Sequence, residues 1–152
     1  MILSISIVAP ASWSNVKLID DAVAALEMLG IKAQVPASLQ MPSRYLAGPI
    51  SHRLESFYEA YDDPDSQAVW AVRGGYGGAQ LANHIDWSRL SSKPLIGYSD
   101  ITVLLDQCYR HGLPAIHGPV MEEATRLQSR SSQQRDIAKQ QIQTLVSLLQ
   151  GN

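Results

Sequence analysis

Apolar positions along this chain follow two alternating rhythms. Short runs rich in β-branched residues, of strand length, recur at 2–9, 31–35, 68–72, 94–98 and 114–117. Between them the apolar residues fall three and four apart, as on one face of a helix. Val16, Ile19, Val23 and Leu26 follow Ser14 or Asn15, either of which can cap a helix, and Gly30 stands where that helix should end. Leu54, Phe57, Tyr58 and Tyr61 define a second helix over 51–61, closed by Asp62, Asp63 and Pro64. One or two helical turns are expected over 79–85. A helix over 100–111 turns Ile101, Leu104, Leu105 and Cys108 inward, with Gly112 beyond its end, and an amphipathic helix over 131–150 carries Ala138, Ile142, Leu145 and Leu149 on one face. The segment 36–49, with three prolines and no sustained period, is a surface loop. Strands alternating with helices predict an α/β fold, a parallel-sheet three-layer sandwich, because parallel strands need crossover connections.

At 152 residues the chain makes one ordinary domain, 1–152, and its 45% apolar and 17% charged content places it among sequences that bury a core. A net charge of −2 with no basic stripe argues against a nucleic-acid partner. No run of eighteen apolar residues occurs, so no membrane-spanning helix is expected. The N-terminal apolar run is interrupted by Ser4 and Ser6 and lacks a basic flank, which makes it a strand rather than a secretion signal. The single cysteine, Cys108, has no partner for an internal disulfide and suits a reducing compartment, so a cytoplasmic location is expected.

In an open parallel sheet, ligands bind beyond the carboxyl ends of the strands. Four segments stand there: Pro10-Ala11-Ser12, Arg73 to Gly78, Tyr98-Ser99-Asp100 and His117-Gly118-Pro119. Ser99 follows a short strand and opens a helix with almost no intervening loop. Such a tight corner lifts a hydroxyl above the sheet, beside the free N–H groups of the helix start. This is the geometry of a nucleophile elbow, although Ile101 stands where the last glycine of G-x-S-x-G belongs, and a plain helix cap explains Ser99 and Asp100 equally well on spacing alone. Four glycines within 74–78 allow main chain to approach a ligand or simply form a turn. Neither nucleotide-binding glycine pattern is met, since Gln80 occupies the last glycine position of G-x-G-x-x-G. The four histidines, His52, His84, His111 and His117, show no metal-ligand spacing, so no metal and no cofactor is expected. Only His117 follows a strand at the ligand edge; His52 and His111 read as solvated helix residues.

Three segments, Val8 to Ser12, Ala71 to Gly77, and Gly97 to Thr102 followed by His117-Gly118-Pro119, resemble in order and spacing the N-terminal part of the LD-carboxypeptidase family. That family comprises serine peptidases that include muropeptide carboxypeptidases and microcin C immunity proteins. The resemblance covers the chain to about residue 125 and implies a flavodoxin-like, class I glutamine amidotransferase-like fold. It implies Ser99 as the nucleophile, with the Asp100 N–H and a glycine N–H of the Arg-Gly-Gly loop, Gly75 by position with Gly74 as its neighbour, as the oxyanion hole. Arg73, Gly74, Tyr76 and His117 are then expected close to substrate. The implied reaction is hydrolysis of an L,D amide bond, releasing D-alanine from muropeptide tetrapeptides during peptidoglycan recycling. The family's catalytic glutamate and histidine belong to a second, C-terminal domain that this chain lacks, so the isolated chain is expected to be nearly inactive, with His117 as the runner-up base. The competing readings are a non-catalytic small-ligand binding or interaction domain and a microcin-immunity-type peptidase fragment. A flavodoxin-like receiver module lacks its cluster of acids here. If the Ile142, Leu145 and Leu149 stripe is partly exposed, a homodimer is a further expectation.

Overall fold

The computed structural model describes residues 2–36, 39 and 45–151, so most of the proline-rich loop's central part lies outside the described residues. Among the described residues five strands, β1 (Leu3–Val8), β2 (Ile31–Gln34), β3 (Ala68–Ala71), β4 (Leu95–Gly97) and β5 (Ala115–His117), form one all-parallel sheet in the order β2-β1-β3-β4-β5. Helices α1 (Val16–Glu27), α2 (Ile50–Asp62), α3 (Gly78–Ala82), α4 (Thr102–Arg110) and α5 (Ser132–Leu149) supply the crossovers and the last layer.

The period of two along each strand sorts the core into two layers. Ile5, Ile7, Trp70 and Ile96 face α1, α5 and a 3₁₀ segment, Met121–Gln128. Val8, Val69, Ala71 and Leu95 face α2, α3 and α4. Ser4 and Ser6, which interrupt the first apolar run, are buried without being orphaned. Ser4 Oγ accepts from Gln34 Nε2, and Ser6 Oγ donates to Asp63 Oδ2 at 2.9 Å. Trp70 is fully buried in the middle of the sheet, and its indole N–H reaches the Pro119 carbonyl at 2.6 Å, tying the segment after β5 to β3.

Three expectations need correction. Val16 is exposed, and Ala22 and Ala25 complete the buried face of α1 with Ile19 and Leu26. The helix expected over 100–111 starts with a separate 3₁₀ turn, Ser99–Ile101, before α4. His111, by contrast, is exposed as expected, with its ring stacked on Trp87 at 5.8 Å. The stripe on α5 is used inside this domain: Ile142 and Leu145 are buried against the core, and Leu149 packs partly against it. The basis offered for a homodimer is thereby removed.

The strand order fixes where a ligand crevice opens. From β1 the chain goes to β2 on one side and later to β3 on the other, so the segments leaving the carboxyl ends of β1 and β3 diverge there. Ser12 follows β1 and Gly74 follows β3, with the end of β4 next in the sheet.

Candidate active site

Ser99 is the one non-glycine residue with positive φ among the described residues, at +60°. For an L-residue that conformation costs roughly 1–2 kcal/mol and persists only where neighbours enforce it. The enforcing neighbours are visible. Gly97 lies so close to Ile101 that a Cβ there would stand 2.7 Å from Ile101 Cγ2. Ile101, which breaks the expected glycine pattern, is itself fully buried and fills the inside of the corner. On the other side Gly74 presses on the corner: a Cβ added to it would meet Ser99 Cβ at 3.1 Å and Asp100 N at 3.4 Å. Ser99 itself is exposed, at the ligand edge of the sheet rather than in the core.

The glycine-rich segment is held in place from below by Ser12, which is 1% exposed. Ser12 N–H donates to the Gly74 carbonyl at 3.2 Å, and Ser12 Oγ accepts from the Tyr76 N–H at 2.9 Å. A trans peptide points its C=O and N–H in opposite directions. With the Gly74 carbonyl committed to Ser12, the Gly75 N–H is turned away from it. Among the described residues neither the Gly75 N–H nor the Asp100 N–H has an acceptor, and with Gly75 exposed and Asp100 half-buried both are open to a ligand. Gly75 has φ +102° and admits no side chain, since a Cβ would stand 2.2 Å from Ser12 Oγ. The Asp100 carboxylate accepts from the Gly78 N–H at 2.7 Å, joining the corner to the start of α3.

The remaining expected residues are distributed around this centre. Arg73 is half-exposed, 3.9 Å from Glu122 Oε1 and turned toward the Trp13 carbonyl. Glu122 also accepts from Ser14 Oγ at 2.7 Å. Tyr76 is largely exposed beside Gly75. His117 pairs in register with Gly97 and packs edge-on against Tyr98, ring centroids 6.4 Å apart. It lines a cavity of about 550 Å³ shared with Tyr98, Glu123, Arg126 and α5. Tyr98 donates to Glu123 Oε1 at 3.1 Å, and its burial together with that carboxylate raises the phenol's pKa. Among the described residues no side chain hydrogen-bonds to Ser99 Oγ, and no cluster of three metal-ligating residues occurs.

Three features escape the sequence reading: the Ser12 clamp, the Asp100 carboxylate on Gly78, and Arg53. Arg53 is 2% exposed inside an apolar helix face, and only the break in the α2 pattern, a cation at a position next to Leu54, hints at it.

Residues 5–118 match the family model described as the LD-carboxypeptidase N-terminal domain. The chain is 46% identical over 119 residues to the murein tetrapeptide carboxypeptidase of Pseudomonas aeruginosa, covering 76% of this chain and 39% of that protein. It is 36% identical over 121 residues to a probable murein peptide carboxypeptidase of Bacillus subtilis, covering 78% and 38%. Among solved structures, a muramoyltetrapeptide carboxypeptidase from Oxalobacter formigenes superposes with TM-score 0.71 at 27% identity, over 78% of this chain and 40% of that one. The microcin C7 self-immunity protein in its apo state gives 0.85 at 21% identity over 97% and 44%, which concerns the fold alone. This chain therefore spans about two-fifths of the length of these relatives. With a family match over most of its length, the chain belongs to the LD-carboxypeptidase family, whose N-terminal domain its residues 5–118 match.

Proposed function

We propose that this chain is the nucleophile-bearing half of a cytoplasmic serine LD-carboxypeptidase that cleaves the L,D amide bond of muropeptide tetrapeptides and releases D-alanine, as in peptidoglycan recycling. The observation that carries this reading is the backbone of Ser99. A mere helix cap has no need of positive φ, and a strained, exposed serine flanked by two N–H groups without acceptors is a centre for acyl transfer. On this reading Ser99 Oγ attacks the carbonyl of the L,D bond. The carbonyl π electrons move onto oxygen, and the resulting anion is held by the Gly75 and Asp100 N–H groups. Collapse of the tetrahedral species breaks the C–N bond, the departing amine takes a proton, and water then hydrolyses the ester on Ser99. Arg73, Gly74, Tyr76 and His117 would border the bound peptide.

The proton leaving Ser99 Oγ needs an acceptor. Among the described residues none stands at hydrogen-bond distance, and His117 is exposed and engaged edge-on with Tyr98. The glutamate and histidine expected from the family resemblance would come from a C-terminal domain. A binding module without chemistry is the competing reading.

A fluorophosphonate probe separates the two. The proposal predicts slow modification confined to Ser99 by peptide mapping, absent in Ser99→Ala and unchanged in His117→Ala. Labelling scattered over surface serines, or none at Ser99 in the folded chain, would favour the binding module. A loss of labelling in His117→Ala would make His117 the base.

A further inference from the structure

Arg53 is a full charge inside the protein, and among the described residues no carboxylate is hydrogen-bonded to it. Its Nε–H donates to the Gly48 carbonyl at 3.1 Å, Nη1 to the Pro10 carbonyl at 2.8 Å and the Gly77 carbonyl at 3.0 Å, and Nη2 to Gln80 Oε1 at 3.3 Å. One guanidinium thus gathers the loop leaving β1, the loop entering α2, and the glycine-rich segment with the start of α3. The fixed fork of five N–H groups is what lets a single side chain hold carbonyls arriving from separate directions, which a lysine ammonium cannot reproduce. The segment also closes tightly on the guanidinium. Gly77 has φ +118°, and a Cβ there would stand 2.9 Å from Arg53 Nη1. The next N–H along the chain, that of Gly78, goes to the Asp100 carboxylate beside Ser99.

We infer that Arg53 is a positioning residue: with Asp100 it sets the height of the 74–78 segment against the Ser99 corner, so that the Gly75 N–H faces the place where charge develops. This rests on the reading of that segment as an oxyanion donor. The path is short and continuous, from Arg53 to the Gly77 carbonyl, across one peptide to the Gly78 N–H, and on to Asp100, the residue after Ser99. Burial acts against the charge on Arg53 and the negative field of Asp100 supports it. Burying a cation is an expensive way to stabilise a helix–loop contact that an apolar residue would fill. Its use here is orientation of backbone dipoles, which apolar packing does not fix.

Amide hydrogen exchange on the ¹⁵N-labelled full chain tests this without relying on activity. In Arg53→Lys, exchange at Tyr76 and Gly78 should rise at least about tenfold beyond any change at Ile7, which sits in the β1–β3 ladder. In Asp100→Ala, which removes the acceptor of the Gly78 N–H, the same excess should be confined to Gly78. A purely structural role would raise all three amides together in step with global stability, and that outcome, or unchanged protection at Gly78 in both variants, would overturn the proposal. Should Arg53→Lys fail to fold, Arg53→Gln, uncharged but still a donor, is judged by the same three amides. Affinity for a peptidyl boronate, which forms a tetrahedral adduct on a serine, keeps the two readings apart. A loosened segment with at least a tenfold weaker boronate supports both. A loosened segment with undiminished affinity leaves Arg53 as the organiser of the segment and removes the oxyanion-donor reading.

Discussion

Purified on its own, this chain should release D-alanine from an L,D-tetrapeptide about 10⁶-fold more slowly than an intact murein tetrapeptide carboxypeptidase, the scale on which loss of a triad base has been seen to act. The expectation follows from the surroundings of one oxygen. A serine hydroxyl is a poor nucleophile near neutral pH unless a neighbour takes its proton, and among the described residues Ser99 Oγ has no hydrogen-bonding neighbour. What the corner retains, two oriented N–H groups and a surface for the peptide, accounts for a residual acceleration of roughly 10³–10⁴ over the uncatalysed reaction. D-alanine release measured under saturating peptide, against the intact enzyme assayed in parallel, gives the ratio. Turnover within about a hundredfold of that enzyme would mean that a base inside these 152 residues does the work, and the account of the centre as a half-site would fall.

Gly75→Ala should destabilise the fold by about 3 kcal/mol, which is a large share of the 5–15 kcal/mol that holds a domain of this size together. Two costs add. At φ +102° an alanine is strained by about 1–2 kcal/mol. Its methyl group would also be placed 2.2 Å from Ser12 Oγ and 2.7 Å from Ser12 Cβ, and Ser12 is buried with nowhere to retreat. Overpacking of that kind costs a further 1–3 kcal/mol or so. Relief requires the segment to lift, which breaks the Ser12 bonds to Gly74 and Tyr76 and moves the Gly75 N–H. Urea unfolding reports the stability, and boronate affinity at Ser99 should fall with it. Gly30→Ala is the internal comparison: Gly30 also has positive φ, yet nothing lies within 4 Å of a Cβ there, so only the conformational cost should be seen. Equal losses at the two positions would show that the contact with Ser12 carries no weight.

Much of this architecture is legible in the sequence because its two periods are clean. Strands such as Ile31–Gln34 and helices such as Thr102–Arg110 fall within a residue or two of the expected bounds. The corner at Ser99 is legible for a related reason: a strand ending at Gly97 and a helix beginning at once leave no room for a relaxed turn. The segment Met121–Gln128 is not legible, because its buried Met121 and Ala124 are too few to set a period and its shape is fixed by contacts with α1 and α5. Nor is Arg53. A cation on an amphipathic helix normally points to water, and its burial depends on three carbonyls brought together by distant loops, Pro10, Gly48 and Gly77. The Ile101 departure from G-x-S-x-G misleads for the same reason. The position required to be glycine is set by which side chain fills the inside of the corner, and here Ile101 fills it while Gly97 yields the space.

The central claim is that Ser99 Oγ and two main-chain N–H groups, of Gly75 and Asp100, form one half of an acyl-transfer centre. A crystal structure of the chain with a peptidyl boronate tests it most directly. The account predicts boron bonded to Ser99 Oγ, with one boronate oxygen about 2.7–3.1 Å from both N–H groups. Boron attached to another residue, or a boronate oxygen directed away from the glycine-rich segment, would contradict it.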